Sequence, residues 1–425
     1  MISPQEALSL VLSHCRLQPI ETVALDQAVG RVLAQPVRAD RDSPPADRSA
    51  MDGYAVRAAD LAQAPRELRL VGEVAAGSPS RPRVKPGTCA RILTGANVPP
   101  GADAIAIVET TEETGPGVIR FRDRVMRGQY VLRRGENTRR GHVLLEPGIR
   151  LGPQQIAVCA AFGAERVRVF VTPRVGVLCT GKELVGVSGR VARHAQRDSN
   201  GPALRAALQT CGLARCGVCG VVDDDPRVLR RRIRAALKTC DVLILVGGVS
   251  VGKYDCVPAA LTALDCRTIF HGVSVKPGKP NLFAVGPGRQ RGEPLGKGKG
   301  KGAGAQRQPL VFGLPGNPLS AVTGFYEFVL PALRVMTGLT GPPLTRIRVC
   351  LEAAVKEERC GRTRLVPARL RFDPDDDTPL AYPIEMHSSA DVVAGGHADG
   401  VVVLPEERAY EAGSLVEFHP WGEPF

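Results

Sequence analysis

Two loops hold the residues best suited to gripping an anion. The first follows the apolar run Val242–Val246 and begins Gly247-Gly248-Val249-Ser250, then passes Gly252 to end at Asp255. Glycine lets backbone N–H groups approach an oxyanion, because no Cβ blocks the way. The second loop, Lys276-Pro277-Gly278-Lys279-Pro280, adds two positive charges on a stiff frame. Together they form a candidate cradle for phosphate or another oxyanion. Other polar groups sit in short loops of the same part of the chain. Glu183 lies in Thr180-Gly181-Lys182-Glu183, Asp198-Ser199 precedes Asn200, and Asp223-Asp224-Asp225 precedes Pro226. Pro315-Gly316-Asn317 leads into a long apolar stretch. A helix there would offer an anion its positive N-terminus, worth about 0.3–1 kcal/mol at an exposed site. Far earlier, Ser49-Ala50-Met51-Asp52-Gly53 puts a carboxylate on a loop, and Thr94-Gly95 ends a β segment. Simpler uses exist for several of these groups. Asp225, Asp224, Asp198 and Ser199 stand where helix N-caps stand. Asp52 and Ser389 can serve their own turns, the double glycine can be a tight turn, and the lysine loop can be solvated.

The elements that must position these loops differ along the chain. Ser3-Pro4-Gln5-Glu6 is a capping box with proline at the first helical position, predicting a helix to about His14. A second short helix is predicted over Leu25–Leu33. From about Leu68 to Glu146 short β segments alternate with Gly and Pro turns, the signature of a small, mostly β domain. Pro153–Ala161 reads as helical. From Val167 to Val335 strands and helices alternate, which implies a parallel sheet covered on both faces. Its predicted strands include Arg174–Leu178, Ala214–Val222, Asp241–Val246, Thr268–Val275, Asn281–Val285 and Leu310–Gly313. Ligands of such sheets sit at the carboxyl ends of the strands, where the Gly247-Gly248 turn falls. After a linker at Gly338–Pro343, short β segments return to the end of the chain.

Composition narrows the classes. A chain of 425 residues, 44% of them hydrophobic, can build several packed cores. Aromatics at 4% argue against recognition by base stacking. Part of the formal charge of +13 is local, because 287–309 carries six basic residues against Glu293. That Lys/Gly-rich stretch reads as a disordered insertion. The remaining surplus suits anionic small molecules, and nucleic acid is an unlikely partner. No window approaches 18 apolar residues, so no membrane span is expected. No signal peptide is read at the N-terminus, and twelve scattered cysteines fit a reducing cytoplasm with free thiols. Cys216-Gly217-Val218-Cys219 invites a metal reading. However, the segment reads as a strand, where residues three apart face opposite sides, and no nearby residues complete a tetrahedral set.

Taken in order, the motifs SAMDGYAV, LTGA, TGKEL, RDSN, GGVSVGKYD, KPGKP, GLPGNP and HSSADVV…ADGVVVLPEE resemble those of the molybdopterin molybdenumtransferase family, relatives of the C-terminal domain of gephyrin. They span nearly the whole chain. The resemblance implies a multidomain α/β plus β fold. An elongated helical part covers 1–50 and 145–170, and an inserted β domain 51–144. A three-layer α/β domain with a mainly parallel sheet covers 171–337, and a C-terminal β-barrel-like domain 338–425. It also implies a homodimer with its active site between subunits, and the last step of molybdenum cofactor synthesis. In that step adenylylated molybdopterin is hydrolysed, AMP leaves, and molybdate is ligated to the dithiolene, with Mg2+ taking part.

Carried onto this sequence, the resemblance marks Asp52, Thr94 and Glu183 as catalytic. It marks Asp198, Ser199, Gly247, Gly248, Ser250, Gly252, Asp255, Lys276, Lys279, Pro315, Gly316, Asn317 and Ser389 as substrate-binding. Asp225, Asp255 and Glu183 are the implied metal ligands, since Mg2+ takes hard oxygen donors. The implied partners are adenylylated molybdopterin, molybdate, the adenylyltransferase and acceptor molybdoenzymes. Three positions depart from the pattern. Asn137 replaces a carboxylate, Lys182 stands where Asp is common, and Ser388 replaces a frequent Gly. Two alternatives are molybdopterin adenylyltransferase, whose fold the α/β domain shares, and a non-catalytic molybdopterin-binding scaffold, which Asn137 would favour.

Overall fold

The computed structural model describes residues 1–250, 252, 255–288, 308–358, 360–373, 376–405 and 408–422. The Lys/Gly-rich stretch and its predicted disorder lie outside the described residues for 289–307. The chain divides into two compact units, one of Met1–Ala34, Pro147–Gly152 and Arg168–Phe425, the other of Gln35–Glu146 and Pro153–Val167.

The larger unit is built on a six-stranded sheet. Its strands are β1 (Arg174–Thr180), β2 (Arg215–Val222), β3 (Val242–Val246), β4 (Arg267–His271), β5 (Leu282–Val285) and β6 (Leu310–Leu314), in spatial order β2-β1-β3-β6-β5-β4. The four strands β2, β1, β3 and β6 run parallel, and β5 and β4 complete the edge antiparallel. The sheet is thus mainly parallel, as expected from the sequence, with antiparallel pairing confined to one edge. Between β5 and β6 no helix is described to carry the chain over a face, and the two pair as neighbouring antiparallel strands. The predicted strand Thr268–Val275 also breaks after His271, where Gly272 adopts φ +102°. Alternation explains why β3 is apolar throughout. Val242, Ile244 and Val246 enter one core and Leu243 and Leu245 the other, as a strand buried on both faces requires. Each such side chain contributes about 1.5–3 kcal/mol by leaving water.

The first core is covered by Pro4–His14, Asn200–Cys211 and the helical run Pro318–Met336; the second by Pro226–Thr239 and Val257–Thr262. Ser3 caps the first helix, its Oγ accepting from Glu6 N at 3.1 Å. The run Pro318–Met336 is long and apolar enough, by length and composition alone, to cross a bilayer, which the sequence reading did not anticipate. It is the core helix of this unit, with 78% of that window buried. Its turn Phe325–Val329 widens to a π-helix just before Pro331. Proline lacks an N–H and collides with the carbonyl four residues back, so the wider turn relieves a clash at Glu327. The predicted helix Leu25–Leu33 is a single 3-10 turn, Leu25–Gln27. Its apolar spacing resembles a helix, but Gly30 turns left-handed at φ +76° and Val32 and Leu33 continue extended.

Five further strands close a barrel. Thr363–Asp373 pairs with both Asp376–Pro383 and Gly400–Leu404, and the ring continues through Leu415–Pro420 and Ile347–Leu351 back to Asp376–Pro383. Val349, Leu351, Val402, Leu404 and Phe418 fill it. The smaller unit carries a six-stranded, mostly antiparallel sheet with Thr88–Ile92 and Arg66–Val74 at its centre and Gly53–Val56 next to Thr88–Ile92. Gly53 is required there, since a Cβ would lie 2.0 Å from the Ala106 carbonyl oxygen.

Candidate functional site

Because β1, β3 and β6 are parallel and in register, their last residues Thr180, Val246 and Leu314 end side by side. The chain leaves β1 towards β2 on one side, while β3 is followed by strands on the other. Such a switch point opens a crevice at the carboxyl ends of the strands. A cleft of about 600 Å³ occupies it, within the usual range for a small-molecule site. Thr180, Gly181 and Glu183 come from the end of β1, Asp198 to Asn200 from the next helix start, Gly247, Gly248 and Asp255 from the loop after β3, and Gly316 and Asn317 from the loop after β6.

The floor of the cleft is shaped by glycine. Gly247 and Gly248 adopt φ +83° and +61°, and their missing Cβ atoms would stand 2.7 Å from Thr180 O and 3.0 Å from Thr180 Oγ1. Above this turn two buried polar atoms have no hydrogen-bond partner in the structure, Thr180 Oγ1 and Asn200 Oδ1. An orphaned buried polar group costs roughly 1–3 kcal/mol, so both are poised for a ligand. Asn200 is itself fixed, donating from Nδ2 to Gly316 O at 2.6 Å.

The acidic residues divide into those that anchor their own loop or helix and those that face the cleft. Asp198 accepts from Gly201 N at 2.8 Å, and Asp255 from Gly252 N at 2.7 Å, so each pins its own loop beside the cleft. Asp225 accepts from Arg227 N and Val228 N at 2.9 and 3.0 Å. Those helix N–H groups, with Arg227 nearby, hold its carboxyl below the ordinary aspartate value. It is a helix cap and does not line the cleft; its neighbour Asp224 does. Burial, then the charges of Glu183 and Asp223, push Asp224 up, while the Lys182 N–H pulls the other way. The signal that could have marked Asp224 is the triplet itself. The last Asp before Pro226 must cap the helix, which leaves the middle one to turn inward.

Ser250, Gly252, Lys276 and Lys279 stand apart from the cleft lining. Ser250 is exposed, Lys279 is exposed, and Lys276 is ion-paired with Glu358. The Lys276 segment adds a short parallel pairing to the barrel strand, Val275 and Lys276 lying opposite Thr363 and Arg364. The barrel also reaches the cleft directly. Asn317 Nδ2 donates to Ser389 Oγ at 2.6 Å, and Ala390 and Val392 join the lining. Pro315 is buried behind Gly316 and shapes the turn.

In the smaller unit Asp52 and Thr94 form a tight pair. Thr94 donates to Asp52 Oδ1 through both its backbone N–H and its hydroxyl, each at 2.7 Å. These two bonds, with Arg91 nearby, hold the exposed carboxyl below the ordinary aspartate value. The arrangement is a fixed anionic acceptor. Asn137, the departure noted above, donates its backbone N–H to Ser43 O at 2.9 Å within a loop of the same unit.

Residues 2–163 match the MoeA N-terminal region (domain I and II), 176–335 a probable molybdopterin binding domain, and 351–421 the MoeA C-terminal region (domain IV). The molybdopterin molybdenumtransferase of Bacillus subtilis is 31% identical over 98% of this chain and 93% of its own length. The chain belongs to the molybdopterin molybdenumtransferase family. A second member, from Synechocystis, is 30% identical over 99% of this chain and 100% of its own. The crystal structure of a molybdopterin biosynthesis protein from Pyrococcus horikoshii OT3 superposes with a TM-score of 0.81 at 27% identity, covering 99% of this chain and 100% of that one. The multidomain α/β plus β fold and the closed C-terminal barrel expected from the sequence are therefore those of this transferase family.

The implied divalent ion fits the carboxylates only in part. Among the described residues no group of three or more His, Cys, Asp and Glu side chains is placed to hold a metal. Two acidic groups, Glu183 and Asp224, do line the cleft, and the charge of Glu183 helps push Asp224 up. That suits Mg2+, which commonly takes one or two carboxylates and fills its shell with substrate phosphate oxygens and water.

Proposed function

We propose that this protein inserts molybdenum from molybdate into the dithiolene of adenylylated molybdopterin and releases AMP. The observation that carries the reading is the cleft at the switch point. Its glycine floor, orphaned Thr180 and Asn200 atoms and helix N-terminus behind Gly316-Asn317 suit a pterin bearing a pyrophosphate. Gly247 and Gly248 let the phosphates approach the backbone. Asp255 and Asp198 hold the walls in place. Glu183 and Asp224 are the groups we assign to Mg2+, which when bound neutralises phosphate charge. Lys279, exposed on a loop tethered to the barrel, is the lysine we assign to supply positive charge for the oxyanion, while Lys276 is held by Glu358. Asp52 and Thr94 are the proposed catalytic pair, with Asp52 the acceptor that orients a nucleophile and Thr94 the group that fixes it. A homodimer, a cytoplasmic location, the adenylyltransferase as supplier and molybdoenzymes as acceptors complete the proposal.

The test is reconstitution. Protein, adenylylated molybdopterin, molybdate and Mg2+ are mixed with an apo-molybdoenzyme, whose activity is then measured. Activity should appear only with all components. A folded protein that fails while a related transferase succeeds would refute the reading. The cleft assignment has its own test. Gly247→Ala must strain a left-handed turn and push against Thr180 O, which costs about 1–3 kcal/mol. Calorimetry with molybdopterin should show affinity falling about tenfold or more; unchanged affinity would remove this turn from the site.

A further inference from the structure

Cys216 and Cys219 were expected to face opposite sides of a strand, and they do not. Their sulfurs are 3.1 Å apart. The cause is a bulge on β2. Val175 of β1 pairs with Cys216 and Val177 with Cys219, so Gly217 and Val218 on β2 oppose only Gly176 on β1. The extra residue turns the strand and brings the two side chains to one side. Glycine makes the bulge feasible. A Cβ on Gly176 would meet the Cys240 sulfur at 2.9 Å, and one on Gly217 would approach Val175 O at 3.4 Å. β2 is the edge strand of the sheet, Cys216 is exposed and Cys219 half-buried. Nothing in the cleft chemistry uses either thiol, although β2 is the strand that delivers Asp224 to the cleft.

We propose that Cys216 and Cys219 are a thiol–disulfide modification site that a small-molecule disulfide of the glutathione type oxidises reversibly. The Cys216 thiolate attacks one sulfur of the reagent, whose S–S bond breaks and releases one thiol with the bonding electrons. Cys219 then loses its proton and attacks Cys216 Sγ in the mixed disulfide, releasing the second thiol. Two protein thiols are oxidised by two electrons, the reagent disulfide is reduced to two thiols, and the two protons pass to those products. Burial of the sulfur, then the neighbouring Cys219, push the Cys216 thiol up to about 12, against the opposing charge of Arg205. Exchange is therefore slow near neutrality and accelerates with pH, because the thiolate is the nucleophile.

The full-length protein is incubated with oxidised glutathione at neutral and at mildly alkaline pH, quenched with acid, alkylated and digested with trypsin. The peptide Cys216–Arg227 contains both thiols and no other cysteine. It should become two hydrogens lighter and resist alkylation, faster at the higher pH, and recover both thiols in reduced glutathione. Cys216→Ser should abolish this mass change. The folded protein should form the crosslink at least about tenfold more readily than the same protein in denaturant, because the bulge preorganises the pair. Overturning results would be two alkylated thiols after oxidation, persistent glutathione on either cysteine, or equal crosslinking in folded and denatured protein.

Discussion

Replacing Asp52 by alanine should reduce turnover by roughly 10²–10⁴-fold, the usual worth of a positioned acid–base group, while leaving molybdopterin affinity and folding unchanged. The side chain is exposed, so its removal opens no cavity. What disappears is an acceptor held by two bonds of 2.7 Å from one residue. The Thr94 N–H and hydroxyl stabilise the ionised form, and the lowered pKa sets the sign of the pH dependence. The acidic limb contributed by Asp52 should lie below that of an ordinary aspartate, with activity lost as pH falls through it. Thr94→Val removes one donor and should move that limb upward. Steady-state kinetics across pH for both variants provide the check. Full turnover in Asp52→Ala would exclude this carboxylate from the reaction.

The second large effect concerns the joint between the barrel and the α/β core. His419 on the barrel strand Leu415–Pro420 is 5% exposed and Glu327 in the π turn is 4% exposed. Their contacts are Nδ1 to Oε1 and Oε2 at 2.8 and 3.0 Å, and Nε2 of the same ring meets Glu417 at 2.7 Å. Burial pulls the imidazole down, but hydrogen bonding and charge from Glu327, then Glu417, outweigh it and lift His419 to about 9. Glu417 is correspondingly lowered, first by its bond to His419. His419→Ala leaves Glu327 buried without its cation, a change worth about 3–5 kcal/mol. A thermal melt should show it as a substantial loss in Tm. Since the folded pKa is raised above the unfolded value of about 6.5, the imidazolium's contribution is full below that value and disappears as pH rises through about 9. The variant should therefore approach the parent in stability above that range. Equal melting at neutral pH would show that the pair does not hold the joint.

Much of this was readable from residue order. Strand–helix alternation located the sheet, and the glycines after β3 located the turn, because both signals are local. Non-local features were hidden. The strand Asp376–Pro383 is rich in Asp and Pro, which disfavour strands, and exists because two barrel neighbours pair with it. The bulge at Cys216 depends on how β2 seats against β1 and on the Cys240 sulfur beneath it. Asp224 and Asp225 are adjacent and chemically alike, and only the helix N-terminus separates capping from lining the cleft. The Asp52–Thr94 pair spans 42 positions, so the bond between them was invisible even where each residue could be named.

The most direct test of the central claim is a single-turnover experiment that follows AMP. Adenylylated molybdopterin is mixed with excess protein, Mg2+ and molybdate, and AMP and molybdenum-bearing pterin are both counted. Equal amounts of AMP and molybdenum cofactor are predicted, with both formed about 10²–10⁴-fold more slowly by Asp52→Ala. Intact adenylylated molybdopterin remaining bound to folded protein, while a related transferase releases AMP under the same conditions, would contradict the account.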